Sequence, residues 1–316
     1  MKLQVVSMGE LLVEIMRENI DEPLGVKGTF VGPFASGAPA IFIDAIARLG
    51  ISSGFIGSVG RDDFGKLITN RLKEDGVDTT YVQSLDNYTT GVAFVTYYSD
   101  GTRQFIYHIP QAASGRISQT QLNRDYLSGI SYLHIMGSTL SINDSWRRWC
   151  YRAVEIVKNS GGKISFDPNL RPELLAIEKI REICEPILSS CEIILPSGEE
   201  ARMLTGIKDT DRACRRLLEC GPEIVALKLG EEGSCIYMKE EKLKVPSFPV
   251  NEIDPTGAGD CFDAAFIMGL LKGWSIKRVA KFANAVGALA VAKRGPMEGA
   301  PYLREVEKMV GLGQAT

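Results

Sequence analysis

The sequence lacks the features that mark secreted, membrane and nucleic-acid-binding proteins. Its seven cysteines form no Cys-x-x-Cys pair and no metal-ligand cluster, so we expect reduced thiols in a cytoplasmic protein. No apolar run is long enough to span a bilayer, and the first residues do not resemble a signal peptide. The net charge is only −3, from 36 basic and 39 acidic residues, and no basic run is present. We therefore expect neither a membrane nor a nucleic acid as partner, and a charged small molecule would have to be captured by local groups.

A linker, an internal repeat and a low-complexity tract are also missing. The 316 residues, 45% of them hydrophobic and 24% charged, are typical of a globular protein with a substantial core. The first strand pattern ends at Gly9 without a Gly-x-Gly-x-x-Gly turn, which disfavours a dinucleotide-binding oxidoreductase. We predict a single domain over 1–316.

Short β-rich runs alternate with longer amphipathic stretches along most of the chain. The predicted buried strands are 3–8, 54–59, 130–136, 163–167, 192–195 and 224–229. The predicted helices are 38–49, 64–75, 144–159, 177–188, 198–204 and 212–220, followed by 257–271, 276–293 and 303–310. This alternation predicts an α/β fold in which helices cover both faces of a mainly parallel sheet.

One region breaks the alternation. Two aromatic-rich β runs, 91–98 and 103–109, are separated by Ser99-Asp100-Gly101-Thr102, and Asp-Gly is a strong hairpin signal. We predict a small projecting sheet, a lid formed by about 12–34 and 89–111. Such a lid could cover a substrate or pair with a second subunit.

The most informative motif is Asp254-Pro255-Thr256-Gly257-Ala258-Gly259-Asp260, which opens the apolar segment 261–271. A helix that starts after such a glycine-rich turn presents unpaired backbone N–H groups at its positive end, where phosphate binds readily. A carboxylate in the first turn could accept a proton from a nucleophile beside that anion. The motif therefore suggests phosphoryl transfer to a hydroxyl, although a tight turn with a dipole-compensating acid would have the same sequence.

Four further segments place small or polar residues beside predicted strand ends or helix starts. They are 35–40, the strand-end cluster 167–172, the acidic segment 195–200 and the glycine-containing turn 228–233. Ligands of open α/β sheets bind at the carboxyl ends of strands, which favours a functional role for 167–172. Helix capping alone would also explain 195–200.

Together and in this order, these segments resemble the ribokinase-like, or PfkB, family of carbohydrate kinases. The resemblance runs from Gly9-Glu10 to the Lys293-Arg294-Gly295 turn and includes 37–50, 57–65 and the C-terminal signature 254–260. It implies an ATP-dependent kinase with a three-layer α/β/α core and a β lid that often mediates dimers.

The resemblance also assigns roles to residues. Asp260 would be the base, and the N–H groups of Gly257, Ala258, Gly259 and Asp260 would form the anion hole, with Arg171 near the phosphates. The nucleotide would lie along Lys228, Gly230, Gly233, Asn169 and Asn284. Glu200 would organise Mg²⁺ through its waters, and Asp254 with the Thr256 carbonyl would hold a monovalent cation such as K⁺. The sugar would contact Glu14, Ser36, Gly37, Arg103 and Tyr107.

Three departures from the family pattern put the acceptor sugar in doubt. Ser197 replaces the Asn of the Asn-x-x-Glu element, Glu14 replaces a common sugar-binding Asp, and Ile41 replaces a common Asn. Ser36, in place of Gly, could supply a compensating hydroxyl. ATP chemistry should be unaffected.

The sequence leaves several acceptors open. The block 36–42 resembles members associated with ketohexoses such as fructose or tagatose, so we expect a primary hydroxyl of a ketohexose as acceptor. Arg103 would suit a carboxylate, which makes 2-keto-3-deoxygluconate the alternative, ahead of adenosine-type nucleosides. A non-catalytic sugar- or nucleotide-binding regulator is the alternative from another class, and the retained Asp260 argues against it. We also expect a homodimer through the lid.

Overall fold

The computed structural model describes residues 2–118 and 121–311, and its centre is a nine-stranded sheet. Seven of its strands are β1 (Val5–Met8), β4 (Ser53–Gly60), β5 (Asp78–Leu85), β8 (Tyr132–Met136), β9 (Lys163–Asp167), β10 (Ile193–Ile194) and β11 (Ile224–Lys228). The last two, β12 (Ser234–Tyr237) and β13 (Lys242–Val245), form an antiparallel hairpin at one edge. The spatial order is β13-β12-β11-β10-β9-β8-β1-β4-β5, and the strands from β11 to β5 are parallel.

Helices cover both faces of this sheet, and each face has its own hydrophobic core. One core is built on α1 (Ala38–Arg48), α2 (Asp63–Glu74), α9 (Ala258–Leu271), α10 (Ile276–Ala290) and α11 (Leu303–Val310). The other is built on α5 (Asp144–Asn159), α6 (Ile177–Leu188), α7 (Gly198–Thr205) and α8 (Thr210–Glu219). Two short helices, α3 (Arg124–Leu127) and α4 (Gly137–Ile142), complete the described set. No helix within the described ranges is long and apolar enough to cross a membrane.

Helix α9 is apolar on all sides because it lies inside the first core. Its residues from Asp260 to Gly269 are buried, and it packs against α1 and α10. A helix without a polar face is stable only when it is surrounded by protein. This packing fixes the direction of α9 and therefore the position of its N-terminal end.

The second sheet has four strands and forms the lid. Its order is β3 (Phe30–Ser36), β2 (Leu12–Arg17), β6 (Gly91–Tyr97) and β7 (Arg103–His108). Strands β6 and β7 are an antiparallel hairpin, and β2 lies parallel to β6. The predicted fold class, an α/β/α core with a mainly parallel sheet and a small lid sheet, is confirmed.

The sequence patterns did not identify five of the strands and helices, β5, β12, β13, α3 and α4. Strand β5 is half-exposed along its length, and β13 is mostly exposed, so neither has the apolar run of a buried strand. Helix α4 is entirely buried and only six residues long, too short for a helical period to appear. The prediction of a single domain stays a prediction.

Candidate active site

A cavity of about 450 Å³ opens between the lid and the carboxyl edge of the large sheet. Its walls come from the ends of β9 and β11, the start of α9, and the lid strands β2 and β7. The predicted site residues that line it are Glu14, Ser36, Gly37, Arg103, Tyr107, Asn169, Arg171, Glu200, Lys228, Thr256, Gly257, Gly259 and Asp260. Most of the predicted site is therefore brought together in one place.

The start of α9 presents free backbone donors to this cavity. Gly257 has a left-handed φ of 81°, and a Cβ there would lie 2.4 Å from the Pro296 carbonyl oxygen. Only glycine fits this turn without strain. Within the described part of the chain, the N–H groups of Gly257, Gly259 and Asp260 have no hydrogen-bond partner, while that of Ala258 donates to the Pro255 carbonyl at 3.4 Å. We call Gly257–Asp260 the anion cradle.

Asp260 lies at the third position of α9 and is 7% exposed. Burial and the nearby Asp167 carboxylate together raise the pKa of Asp260 to about 7, against the opposing charges of Lys228 and Arg171. A carboxylate with a pKa close to neutrality is suited to accept and release protons at physiological pH. Asp260 thus combines the position and the basicity of a general base.

A buried ion cluster lies directly beneath the anion cradle. The Lys228 ammonium, at the end of β11, donates to Asp167 Oδ2 at 2.9 Å and to both oxygens of Asp263 at 3.1 Å. Burial alone would raise the pKa of Asp167, but the Lys228 charge and the hydrogen bonds with Asp263 and Lys228 together outweigh it, and the pKa of Asp167 is lowered. Burial and the neighbouring Asp167 raise the pKa of Asp263 well above its usual range. The cluster therefore keeps Lys228 protonated and in place close to Gly259.

The loop after β9 contributes the remaining polar groups on the nucleotide side. Asn169 has a left-handed φ of 36°, and its buried Oδ1 has no hydrogen-bond partner in the described structure. Glu200 accepts hydrogen bonds from Leu170 N at 2.9 Å and Ser197 N at 2.8 Å, and Ser197 caps α7 through its hydroxyl. The capping explanation for segment 195–200 is thus correct, and Glu200 also joins this helix to the loop that carries Asn169 and Arg171.

The lid supplies the opposite wall of the cavity. Glu14 Oε2 accepts a hydrogen bond from Ser36 Oγ at 3.2 Å, whereas its buried Oε1 has no hydrogen-bond partner among residues 2–118 and 121–311. Burial and the charge of Asp254 raise the pKa of Glu14 to about 8. Arg103 is exposed and lies over the Phe105 ring, and the Phe105 and Tyr107 rings stack at 5.0 Å. An unsatisfied buried oxygen beside a cavity is a ready hydrogen-bonding position for a ligand.

The sequence reasoning missed a second buried carboxylate in the cavity wall. Glu10 follows β1 and accepts hydrogen bonds from the hydroxyls of Ser138 at 2.6 Å and Thr139 at 2.7 Å. Burial raises the pKa of Glu10 even though these hydrogen bonds oppose the shift. Its position at a strand end was the available signal. Asp263 was missed as well, because an acid inside an apolar helix has no partner visible in the sequence.

Three predicted nucleotide-binding residues do not line the cavity. Asn284 Nδ2 donates to the carbonyl oxygens of Val245 and Pro246 at 2.9 and 3.0 Å. A Cβ on Gly233 would lie 2.2 Å from the same Val245 oxygen, so Gly233 and Asn284 both pack closely against the end of β13. Gly230 is exposed at the turn after β11. Their contact with a nucleotide stays a prediction.

The predicted cation ligands occupy the turn before the anion cradle. Asp254 Oδ1 accepts hydrogen bonds from Thr256 N at 2.9 Å and from the Tyr97 hydroxyl at 3.1 Å, and Oδ2 accepts one from Gly295 N at 2.9 Å. Asp254 thus already has three internal partners. In residues 2–118 and 121–311, no group of three or more His, Cys, Asp or Glu side chains could hold a metal ion.

Known proteins share this architecture over nearly the whole chain. An E. coli protein with the provisional name Ribokinase II has 42% sequence identity and a TM-score of 0.92, covering 98% of this chain and 99% of its own. One of its crystal structures is a complex with ATP and Mg²⁺. A fructokinase from Xylella fastidiosa, crystallised with bound ATP, has a TM-score of 0.86 at 26% identity, with both chains fully covered.

Sequence comparison gives the same result. Fructokinase-1 of Oryza sativa subsp. japonica is 32% identical over 315 residues, which cover 97% of this chain and 97% of the relative. The sequence pattern of the pfkB family carbohydrate kinases matches residues 2–302. The resemblance inferred from the motifs is therefore confirmed: the chain belongs to the pfkB family of carbohydrate kinases.

Proposed function

We propose that this protein is an ATP-dependent kinase that transfers the γ-phosphoryl group to a primary hydroxyl of a ketohexose, with fructose as the first candidate. The observation that carries the proposal is the shared cavity. Free N–H groups at the start of α9, the Asp260 carboxylate and the unpartnered Glu14 oxygen all face it. An anion site, a base and a site for hydroxyl groups are the parts that phosphoryl transfer to a sugar requires.

In this mechanism Asp260 accepts the hydroxyl proton as the sugar oxygen bonds to the γ-phosphorus. The bond between that phosphorus and the bridging oxygen of ADP breaks, and the N–H groups of the anion cradle stabilise the charge on the transferred group. A pKa of about 7 leaves Asp260 about half ionised at neutral pH. Donors fixed by a packed helix need no reorganisation, which is why such groups accelerate reactions strongly.

On the nucleotide side, Lys228, Arg171 and Asn169 would bind ATP, with Gly230, Gly233 and Asn284 further along it. Mg²⁺ prefers oxygen ligands and keeps several waters, and the unpartnered Asn169 Oδ1 and the Glu200 carboxylate fit that preference. When bound, Mg²⁺ would neutralise phosphate charge. The E. coli relative with ATP and Mg²⁺ supports this assignment.

A monovalent cation such as K⁺ would bind at Asp254 and the Thr256 carbonyl. Asp254 Oδ1 already accepts two hydrogen bonds, but Oδ2 accepts one and keeps a free lone pair. The ion would neutralise Asp254 below the cradle. The test is the rate in KCl against the rate in an equal concentration of tetramethylammonium chloride. Equal rates would remove the cation from the proposal.

The acceptor is proposed from the lid side of the cavity. Glu14 and Glu10 are both buried there, and neutral hydroxyl groups can donate to or accept from such carboxyl groups. An acidic sugar would need Arg103, which is exposed and near enough to lower the pKa of Glu14. 2-Keto-3-deoxygluconate is therefore the second candidate. The named fructokinases among the relatives support the first.

The acceptor is tested by measuring ADP release over ketoses, aldoses, sugar acids and nucleosides, with ³¹P NMR to identify the phosphorylated carbon. We expect fructose or tagatose to give the highest kcat/KM. Arg103→Ala should weaken an acidic sugar far more than a neutral one if the acidic sugar is the substrate. Absence of sugar-dependent ADP release from every compound would overturn the proposal and favour a regulator.

We also propose a homodimer through the outer face of the lid. Phe30 and Phe94 meet edge to face there at 5.8 Å, with Phe30 37% exposed and Ile106 45% exposed. Phe94 and Ile106 are paired across β6 and β7, so they share this face. A self-complementary apolar patch is the usual basis of a two-fold dimer. Light scattering should give twice the chain mass, and Ile106→Lys should reduce it to the chain mass.

All seven cysteines are free thiols, and six of them are buried. Burial raises the pKa of several, including Cys150 and Cys191, which suppresses thiolate formation. We propose the cytoplasm, where thiols stay reduced, as the site of action.

A further inference from the structure

One residue of the lid sheet contacts the turn that precedes the anion cradle. Tyr97 ends strand β6, and its hydroxyl donates to Asp254 Oδ1 at 3.1 Å and also contacts the Thr256 hydroxyl. No motif pointed to this contact. Asp254 and Thr256 belong to the core, so Tyr97 makes a polar contact between the lid sheet and the core.

The partners of Tyr97 set the geometry of the cradle. Thr256 directly precedes Gly257, the N-cap residue of α9. The Asp254 carboxylate accepts hydrogen bonds from Thr256 N and Gly295 N, each at 2.9 Å, and these bonds fix the conformation of the turn. A shift of the phenol would therefore move atoms one residue away from the free N–H groups.

The lid strand that carries Tyr97 is also joined to the sugar side of the cavity. Tyr97 pairs with Arg103 across β6 and β7, and Glu14 of β2 pairs with Ala93 of β6. The four strands form one hydrogen-bonded sheet, so the sheet links Glu14 and Arg103 to Tyr97. Burial, with the nearby Glu14 and Asp254 carboxylates, raises the pKa of Tyr97, so the phenol remains a hydrogen-bond donor.

We propose that Tyr97 is a positioning residue that couples the lid to the anion cradle, so that sugar bound under the lid stabilises the cradle for the γ-phosphoryl group. The inference rests on the proposed function in that the cradle is taken as the γ-phosphoryl site. It adds a specific consequence, which is that sugar should tighten the binding of a nucleotide only if that nucleotide carries a γ-phosphate.

The test compares two neighbouring tyrosines. Tyr97→Phe removes the hydroxyl that reaches the core, whereas Tyr98→Phe removes one that donates to Gln104 Oε1 within the lid. We expect Tyr97→Phe to lower kcat about tenfold, which is the loss expected for one charged hydrogen bond, with the KM for ATP within about twofold. Tyr98→Phe should keep the wild-type kcat.

Calorimetry then separates coupling from a structural defect. With fructose present, the affinity of the wild-type protein for the non-hydrolysable analogue AMP-PNP should rise about fivefold or more, and its affinity for ADP should not change. In Tyr97→Phe the increase for AMP-PNP should disappear, while ADP binding and the melting temperature stay as in Tyr98→Phe.

Thr256→Val probes the same contact from the core side, with Thr256→Ser as the variant that keeps the hydroxyl. Combining Tyr97→Phe with Thr256→Val should cost little more than Tyr97→Phe alone, because Tyr97→Phe already removes the contact with the Thr256 hydroxyl. Additive losses, or a Tyr97→Phe protein with wild-type kcat and intact coupling, would overturn the inference. Failure of the wild-type protein to phosphorylate any sugar would count against the proposed function instead, whatever the variants do.

Discussion

The two ends of the cavity are built in different ways. On the side proposed for the phosphates, the groups are backbone N–H donors at the start of α9 and the hydrogen-bonded side chains of Lys228, Asp167 and Asp263. On the side proposed for the sugar, they are side chains of the lid, including the exposed Arg103 and Glu14, whose Oε1 has no partner among the described residues. In the proposed mechanism the packed core therefore fixes the groups for phosphoryl transfer, whereas sugar recognition depends on side chains that a single substitution can change.

The largest loss of activity should come from replacing the proposed base, Asp260, on the phosphate side. Asp260→Asn keeps the size of the side chain but cannot accept the proton, so we expect kcat to fall about 10³-fold. The affinity for ATP should stay within about twofold. Steady-state kinetics with calorimetry of AMP-PNP binding measure both. Near-normal turnover would reject Asp260 as the base.

The backbone geometry of the cradle can be tested with a pair of glycines. Gly257 and Gly273 both have left-handed φ values, 81° and 67°, but an added Cβ would meet the Pro296 oxygen only at Gly257. Gly257→Ala should therefore displace the N–H donors and lower kcat about 10²-fold. Gly273→Ala has the same backbone strain without that contact, and its kcat should be unchanged. Equal kcat losses in the two variants would mean that the cradle geometry is irrelevant.

The loss of activity at acid pH should report the phosphate side, because Glu14 on the sugar side, with a pKa of about 8, stays protonated below pH 7. The base works when ionised, and burial raises the pKa of Asp260 to about 7, so activity should be lost as the pH falls through 7. At pH 5.5, kcat/KM should be about 30-fold below its high-pH plateau. A profile that stays flat down to pH 5 would show that no group with this pKa takes part.

The smallest effect should come from substitutions of Glu14, and it should change the KM for the sugar alone. Glu14→Ala removes a buried hydrogen-bonding group and should raise the sugar KM about tenfold without changing the KM for ATP. Because the pKa of Glu14 is about 8, the residue is mostly protonated at neutral pH, and Glu14→Gln should cost about threefold or less. The exposed Glu18 of the same lid segment provides the control, Glu18→Ala. A rise in the KM for ATP in the Glu14→Ala variant would contradict this division of the cavity.

The comparison also explains which parts were predictable. The buried parallel strands and the helices α5, α6 and α11 were predicted to within about two residues, because each has a strong apolar period. The cradle and Asp260 were predicted because a helix start after a glycine turn is a local feature. The half-exposed strand β5 and the edge strand β13 have no such pattern, and they were missed.

Side-chain partnerships between distant segments were not predictable. Tyr97 meets Asp254 across 157 positions of sequence, and Lys228 meets Asp263 across 35. Nothing local marks either pair. Glu10 could have been identified from its place after β1, since polar groups at the carboxyl ends of parallel strands tend to meet at one edge.

The most direct measurement is a crystal structure with AMP-PNP, Mg²⁺ and fructose bound together. We predict that the γ-phosphate oxygens accept hydrogen bonds of about 3 Å from the N–H groups of Gly257, Gly259 and Asp260. We also predict a sugar hydroxyl at the same distance from the Asp260 carboxylate. A γ-phosphate bound away from the start of α9, or Asp260 out of reach of the sugar, would contradict the account.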